Sequence, residues 1–397
     1  MDLFHLATRN IRRNAFRSFA IFLIVTGVVG LLVSSTLLIS GVNYSLNSGL
    51  KRLGADLLVV PIESASQIDT ALLMGKPTKY SIPESDIQKV AEVPGVAATS
   101  AQVYLSTLYG AGCCSFSETF LVVFDPATDF TMTPWLKSNL GRPLAKDEII
   151  GGSGVSVPQG SQQIMLYGYG VNLAGNLEPT GTGMDQTIFM TMETAQDIAN
   201  SSLTTAEQPL KLTSGQVSAV LVKVSPGADA HKVALGIYKN TTDAAALESP
   251  NLFGTYRQQI SGLLWGFVGG TVILWAMAMI LIGLVFSVIA GERRREMAVR
   301  RAIGAKRNFI MRTMLAEAAI LAAGGALLGI FLASSLLYLF KDFISGSLRM
   351  PFLFPSAGAA LELFAIGLVL AVVTIIIAVS IPAFRVSRQE LAIAMRE

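Results

Sequence analysis

From Ile260 to Ala290 the chain carries no charged residue, and from Thr313 to Leu339 it carries only Glu317. A bilayer is crossed by about 20 apolar residues in a helix. Both stretches are long enough, and this limits the fold more than any other feature. Phe19 to Ile39 and Phe364 to Phe384 add two more such runs. Four spans place both termini on one side of the membrane.

Lys and Arg near the span ends choose that side. Arg9, Arg12, Arg13 and Arg17 precede the first span. Arg293 to Arg295, Arg300, Arg301, Lys306, Arg307 and Arg312 separate the second and third, and Arg385, Arg388 and Arg396 follow the fourth. The short connection between spans three and four has only Lys341 and Arg349. Because cytoplasmic segments carry the excess of positive charge, the termini and the Arg293 segment are expected in the cytoplasm of a multi-pass cell-membrane protein. The first run, at about 21 residues, exceeds the roughly 7 to 15 of a signal-peptide core, and no clear A-x-A-like site follows. It is expected to be an uncleaved anchor.

The expected organisation is a cytoplasmic amphipathic segment at 1–18, spans at 19–40, 263–290, 313–340 and 358–384, an extracytoplasmic domain at 41–262, a charged segment at 291–312, a short outer loop at 341–357 and a tail at 385–397. The outer region holds 13 Lys and Arg against 19 Asp and Glu, and the remainder 17 against 8. A net charge of +3 for the whole therefore hides two oppositely charged compartments and gives no sign of nucleic-acid binding. About 220 residues can bury a core of their own.

Within that domain, Ser81-Ile82-Pro83-Glu84 has the form of a capping box, followed by Ile87, Val90 and Ala91 at helical spacing, with Pro94-Gly95 as the stop. Val96 to Leu108, Phe120 to Phe124 and Val217 to Val224 read as strands. Ile164 to Tyr169, Val171 to Leu177 and Thr187 to Met192 read as a meander turning at Gly168 to Gly170 and Pro179 to Gly183. A helix is expected from about Asp229 to Tyr238, and the polar stretch Ser201 to Ser214 as a loop or insertion. The class is α+β. The whole is an integral membrane α-helical protein with a large α+β domain between helices one and two.

The charged segment runs Glu292-Arg293-Arg294-Arg295-Glu296-Met297-Ala298-Val299-Arg300-Arg301-Ala302-Ile303-Gly304-Ala305. Glu296 and Arg300 stand four apart with the acid N-terminal, a favourable helical pair, and Val299 and Ile303 share an apolar strip. Gly304 suits the left-handed turn that stops a helix. Such an element fits a groove on a partner, although a juxtamembrane basic cluster also binds anionic headgroups of membrane lipids by itself.

With Ala7-Thr8-Arg9-Asn10-Ile11-Arg12-Arg13-Asn14 at the start, Pro382-Ala383-Phe384-Arg385-Val386 at the end, and Val93-Pro94-Gly95-Val96, Gly141-Arg142-Pro143-Leu144 and Leu177-Glu178-Pro179-Thr180-Gly181 between them, the chain resembles permease subunits of the MacB and FtsX-like family of ATP-binding-cassette (ABC) systems. It departs from the family where the basic run after the final Pro-Ala is thinned to Arg385 and Arg388. The resemblance implies two permeases, copies or paralogues, bound to cytoplasmic ATPase subunits that hold ATP and magnesium. It implies that Glu292, Arg293, Glu296, Met297, Val299, Arg300, Arg301, Ile303, Gly304 and Ala305 couple the two. The family moves its outer domains mechanically, to export or hand over a substrate or, in FtsX-like relatives, to regulate an outer enzyme or another extracytoplasmic partner.

The chain itself is not expected to be an enzyme. It has no G-x-x-x-x-G-K-[ST], and Gly151-Gly152-Ser153-Gly154 lacks the lysine. His5 and His231 have no metal-ligand spacing. Glu317 and Glu362 lie near span ends, where they reach an interface, and no buried carboxylate chain suggests a proton relay. Gly266-x-x-x-Gly270 and Gly325-x-x-x-Gly329 have the spacing that lets helix backbones approach. Cys113 and Cys114 are the only cysteines. Adjacent thiols close only a strained ring, so a buried structural pair, a soft-metal or redox pair, and an intersubunit disulfide all stay open.

Overall fold

The computed structural model describes residues 3–65, 68, 72, 81–106, 119–206, 209–292, 307–346, 348 and 350–388. It divides into two compact units, one of residues 1–41, 261–341 and 354–397, the other of residues 42–260 and 342–353.

In the first unit, α1 (Leu3–Arg13) is followed by α2 (Ala15–Leu53), and later come α7 (Gly254–Glu292), α8 (Arg307–Leu339) and α10 (Ala357–Arg388). The last four are long and apolar enough to cross a membrane. At 1.5 Å per residue α2 is about 58 Å long, well beyond the roughly 30 Å of a hydrocarbon core. A hydroxyl in such a helix has no water to bond, so it returns to the carbonyl one turn back. Thr26 donates to Phe22 O (2.8 Å), Thr271 to Phe267 O (2.9 Å), Thr313 to Phe309 O (2.8 Å) and Ser334 to Ile330 O (2.7 Å). α8 packs against α10 and α1. Large apolar side chains of α7, among them Leu263, Trp265 and Ile273, are exposed in the chain by itself, as a lipid-facing surface requires.

The second unit is built on a nine-stranded mixed sheet. Its strands are β1 (Leu57–Pro61), β3 (Val96–Ser106), β4 (Phe120–Phe124), β5 (Glu148–Gly151), β6 (Ile164–Leu166), β7 (Tyr169–Asn176), β8 (Thr187–Thr191), β10 (Ala219–Val224) and β11 (Ala244–Glu248). Their order is β11-β1-β10-β3-β4-β8-β5-β7-β6. A separate two-stranded ladder joins β2 (Ile82–Pro83) to β9 (Gln216–Val217). Among the described residues, only β4–β8 and β5–β7 pair in parallel. The strand β3 serves two neighbours, β10 over Val96–Gln102 and β4 over Gln102–Ser106.

The unit also holds the short helix α4 (Thr133–Trp135) and most of α9 (Lys341–Gly346), and among the described residues two cores cover the sheet. Leu57, Val59, Val220, Val222 and Ala244 pack with Val90 of α3 (Ser85–Ala91) and with Val233 and Ile237 of α6 (Ala230–Asn240). Leu121, Val123, Ile149, Val171 and Ile188 pack with Ala195 and Ile198 of α5 (Met192–Thr205). Side chains accept the first free amides of both longer helices, Thr191 from Thr194 N and Asp229 from His231 N.

Four local expectations are corrected. Ser81 caps no helix. Its hydroxyl donates to Gln216 Oε1 (2.5 Å), Ile82-Pro83 is drawn into the ladder with β9, and α3 starts only at Ser85. The meander is not continuous. β6 and β7 form a hairpin on Tyr167-Gly168, both at positive φ, but β5 lies between β7 and β8. Val217 to Val224 is broken at Ser218, whose hydroxyl accepts from Tyr104 N (2.9 Å). Ser201 to Thr205 belong to α5, held because Ser201 and Thr205 hydroxyls both donate to Tyr167 O (2.8 and 2.7 Å).

Candidate coupling sites

In the membrane unit two glycines of α8 bring it against α2. A Cβ on Gly329 would fall 2.6 Å from Thr26 O and 3.0 Å from Gly30 N, and one on Gly325 2.9 Å from the Val25 Cβ and 3.0 Å from Phe22 O. Only glycine lets these backbones meet. Ser35 of α2 and Thr271 of α7 share a buried hydrogen bond (3.1 Å). Arg17, in the first turn of α2, forms an ion pair with Glu292, the last residue of α7, with a second contact from Nη2 to Oε1 at 3.0 Å. The pair is about half exposed and contributes little stability. Its interest is its position at the head of the charged segment.

In the outer unit, the C-terminal part of α2 is bonded to the loop between β7 and β8. Ser45 Oγ donates to Thr180 O (2.7 Å), and Arg52 Nη2 donates to Glu178 O (2.7 Å) and to its carboxylate (3.0 Å). The loop is shaped by Asp185. One carboxylate oxygen accepts from Thr180 N and Oγ1 (2.8 Å each), and the other from Gly181 N (2.6 Å). Gly181 has φ +70, and its carbonyl accepts from Phe352 N (3.1 Å). The segment between spans three and four is thereby tied to the loop that α2 holds.

Two other family-like segments have local physical roles. Gly141, at φ +68, ends a π-helical turn (Leu136–Leu140). Arg142 then grips Glu148 with both guanidinium nitrogens (2.6 and 2.7 Å) and holds its carboxyl below the usual carboxylate range. Gly95, at φ +97, brings the turn after α3 onto α6, where a Cβ would meet Val233 at 2.8 Å. Near the centre of the sheet, burial pushes the Tyr104 hydroxyl well above its ordinary pKa, and it donates to Gln102 Oε1 (3.2 Å).

Of the expected coupling residues, Glu292 is placed as above. Arg293, Glu296, Met297, Val299, Arg300, Arg301, Ile303, Gly304 and Ala305 lie outside the described residues, as do Cys113 and Cys114. Gly325 and Gly329 pack against α2, whereas Gly266 and Gly270 have nothing among the described residues within 4 Å of an added Cβ. The described part of the chain therefore supplies a partner backbone to the first pair and none to the second. Both glycines lie on an exposed part of α7, and spacing alone could not distinguish the two pairs. Ser45, Arg52 and Asp185 were not singled out from sequence. The available signal was the turn-rich run Thr180-Gly181-Thr182-Gly183-Met184 closing on a carboxylate.

The family model for the MacB-like periplasmic core domain matches residues 18–237, and that for the FtsX-like permease C-terminal matches residues 260–391. The chain belongs to the MacB and FtsX-like family of ABC permeases. Its outer unit is the extracytoplasmic domain, and its four long apolar helices make it a multi-pass membrane protein. Among solved structures, the periplasmic region of MacB from Actinobacillus actinomycetemcomitans is similar at 11% identity, covering 52% of this chain and 94% of that one with a TM-score of 0.33. The extracellular domain of the noncanonic ABC-type transporter YknZ from Gram-positive bacteria is similar at 14% identity, covering 49% and 99% with a TM-score of 0.28. Among curated proteins none matches this permease.

Proposed function

We propose that this permease couples ATP hydrolysis by separate cytoplasmic ATPase subunits to movement of its extracytoplasmic domain, exporting a substrate or handing it over. The observation that carries the reading is the unbroken helix α2. Its first turn holds Arg17, paired with Glu292 at the head of the charged segment, and its last turns hold Ser45 and Arg52, bonded to the Leu177–Asp185 loop. A helix transmits displacement along its axis because its hydrogen bonds resist stretching. Residues Glu292 to Ala305 are assigned to the ATPase, and a second permease, copy or paralogue, completes the complex. Cys113 and Cys114 have no part in this reading.

Replacing Glu296 and Arg300 together with Ala, or Gly304 with Val, is expected to leave the permease in the membrane while substrate-stimulated ATP hydrolysis in reconstituted complexes falls to the level of the ATPase alone. Full stimulation in either variant refutes the assignment. Stimulation by an extracytoplasmic protein without movement of any substrate assigns the chain to regulation instead.

The topology has its own test. An epitope inserted after Ser214 is expected to bind antibody in intact cells, and one after Glu397 only after permeabilisation. Opposite labelling of either site overturns the cytoplasmic placement of the termini.

A further inference from the structure

The sheet of the extracytoplasmic domain ends at β11, whose sequence is Ala244-Ala245-Ala246-Leu247-Glu248. It lies between the two family matches, which end at residue 237 and begin again at 260. Edge strands offer unpaired amides and carbonyls, and proteins blunt them with Lys, Pro, bulges or covering elements. This strand has no Lys, no Pro and an unshifted register with β1.

Its hydrogen-bonding parity is fixed at both ends. Ser249 N donates to Asp56 O (2.9 Å) and Ile62 N donates to Asp243 O (3.0 Å). Residues 243, 245, 247 and 249 therefore turn their main chain toward β1, and Ala244, Ala246 and Glu248 turn theirs away. The Glu248 carbonyl is taken by Asn251 and Leu252 amides. Among the described residues, no backbone bond outside the strands themselves closes on Ala244 or Ala246.

Beside this edge lies a groove of about 380 Å³ between β11 and α6. His231, Ala234, Leu235 and Tyr238 line it from the helix, at spacings that put them on one face, and Ala246 and Glu248 line it from the strand. Leu235 and Tyr238 are 48% and 57% exposed, high for apolar side chains on a helix outside the membrane. An open edge running beside a helix, with apolar side chains between them, suits an extended peptide. Main-chain bonds then supply affinity and the groove takes alternate side chains.

Charge decides between a peptide and a second copy of the same edge. The strand is bracketed by Asp243 and Glu248, while Lys232 and Lys239 of α6 are not among the lining residues. Two copies of β11 pairing antiparallel about Ala246 would set Asp243 opposite Ser249 and Glu248 opposite Ala244, gathering four acids and no Lys or Arg in one ribbon. Like charges so gathered weaken the pair, with no opposite charge on the strand to offset them. A segment with Lys or Arg at its ends meets the same acids favourably. His231, which bonds Glu248 through Nδ1 (2.8 Å), has a side chain 70% exposed and is free to swing aside.

We propose that the β11 edge and the groove beneath α6 bind an extended segment of a polypeptide partner by strand addition, the segment having alternating apolar residues and basic ends. This needs the domain to lie outside the membrane but does not need the ATP coupling proposed above, so the two readings fail separately.

The test uses the full chain in lipid nanodiscs and a phage-displayed library of random peptides, selected on the parent and counter-selected on Ala246→Pro. Proline there removes an outward amide and none that bonds β1, so the sheet is kept. Leu235→Asp/Tyr238→Asp, on the exposed helix face, serves as a second variant should the first misfold. Enriched peptides are expected to alternate apolar residues between Lys or Arg. They should bind the parent about tenfold more tightly than Ala246→Pro, as loss of one or two hydrogen bonds dictates, and more tightly than Leu235→Asp/Tyr238→Asp, whose groove has lost its apolar lining. They should also lose that binding when alternate amides are N-methylated, and weaken on Glu248→Lys. Selection that yields no peptide dependent on Ala246 or on Leu235 and Tyr238 overturns the proposal, as does equal binding of the N-methylated forms.

Discussion

Gly329→Leu is expected to prevent stable association of α2 with α8, giving a permease that is degraded or melts far below the parent, with no coupled ATP hydrolysis. The atoms in the way are main-chain ones, Thr26 O at 2.6 Å and Gly30 N at 3.0 Å from an added Cβ, so no side-chain rotation relieves the clash. The helices must separate, and overpacking of this kind costs about 1–3 kcal/mol or more, against the about 5–15 kcal/mol that holds a typical native fold. Gly266→Leu is the control, since an added Cβ there has nothing within 4 Å. Tryptophan fluorescence melts of the purified variants separate the two. Coincident melting of Gly329→Leu and the parent would sink the close contact.

The second large effect is expected at the Asp185 loop. Asp185→Ala removes an acceptor used by Thr180 N, Thr180 Oγ1 and Gly181 N, and bonds to a charged group contribute about 1.5–3 kcal/mol each. Gly181→Ala attacks the same loop by geometry, with φ +70 and a Cβ 2.4 Å from Phe352 O. Both variants should speed hydrogen exchange in residues 177–187 and 350–353 without changing it in β1 or β10. Stimulated ATP hydrolysis should fall while the ATPase stays bound. Unchanged exchange in that loop would remove Asp185 from the proposed relay.

The four spans, the Phe120–Phe124 strand and the helix capped by Asp229 were legible because local composition decides them. Long apolar runs, a short buried strand and a side-chain cap need no distant partner. The failures share the opposite cause. Ser81-Ile82-Pro83-Glu84 carries a correct capping pattern, yet pairing with Gln216-Val217 overrides it across more than a hundred residues of chain. β11 is mostly alanine, which favours helix, and becomes strand because Leu57–Pro61 supplies its ladder. Ser201 to Thr205 look like loop by polarity but find acceptors at Tyr167 O. The two glycine pairs are identical in spacing and differ only in what faces them. Asp185 was missed because a loop carboxylate declares its amides only once the loop is folded.

The division of labour along β3 has a consequence for evolution and engineering. The proximal half of that strand is laced to β10, the distal half to β4, and everything hung on the distal half, from β4 through α5, comes from one contiguous stretch of chain. That lobe can be lengthened or trimmed away from its Leu177–Asp185 loop, which must stay because Ser45, Arg52 and Phe352 are bonded to it. The strands β11, β1 and β10 would keep their own pairings. A chain built this way can change its distal strands in one contiguous stretch without re-pairing the other half of its sheet.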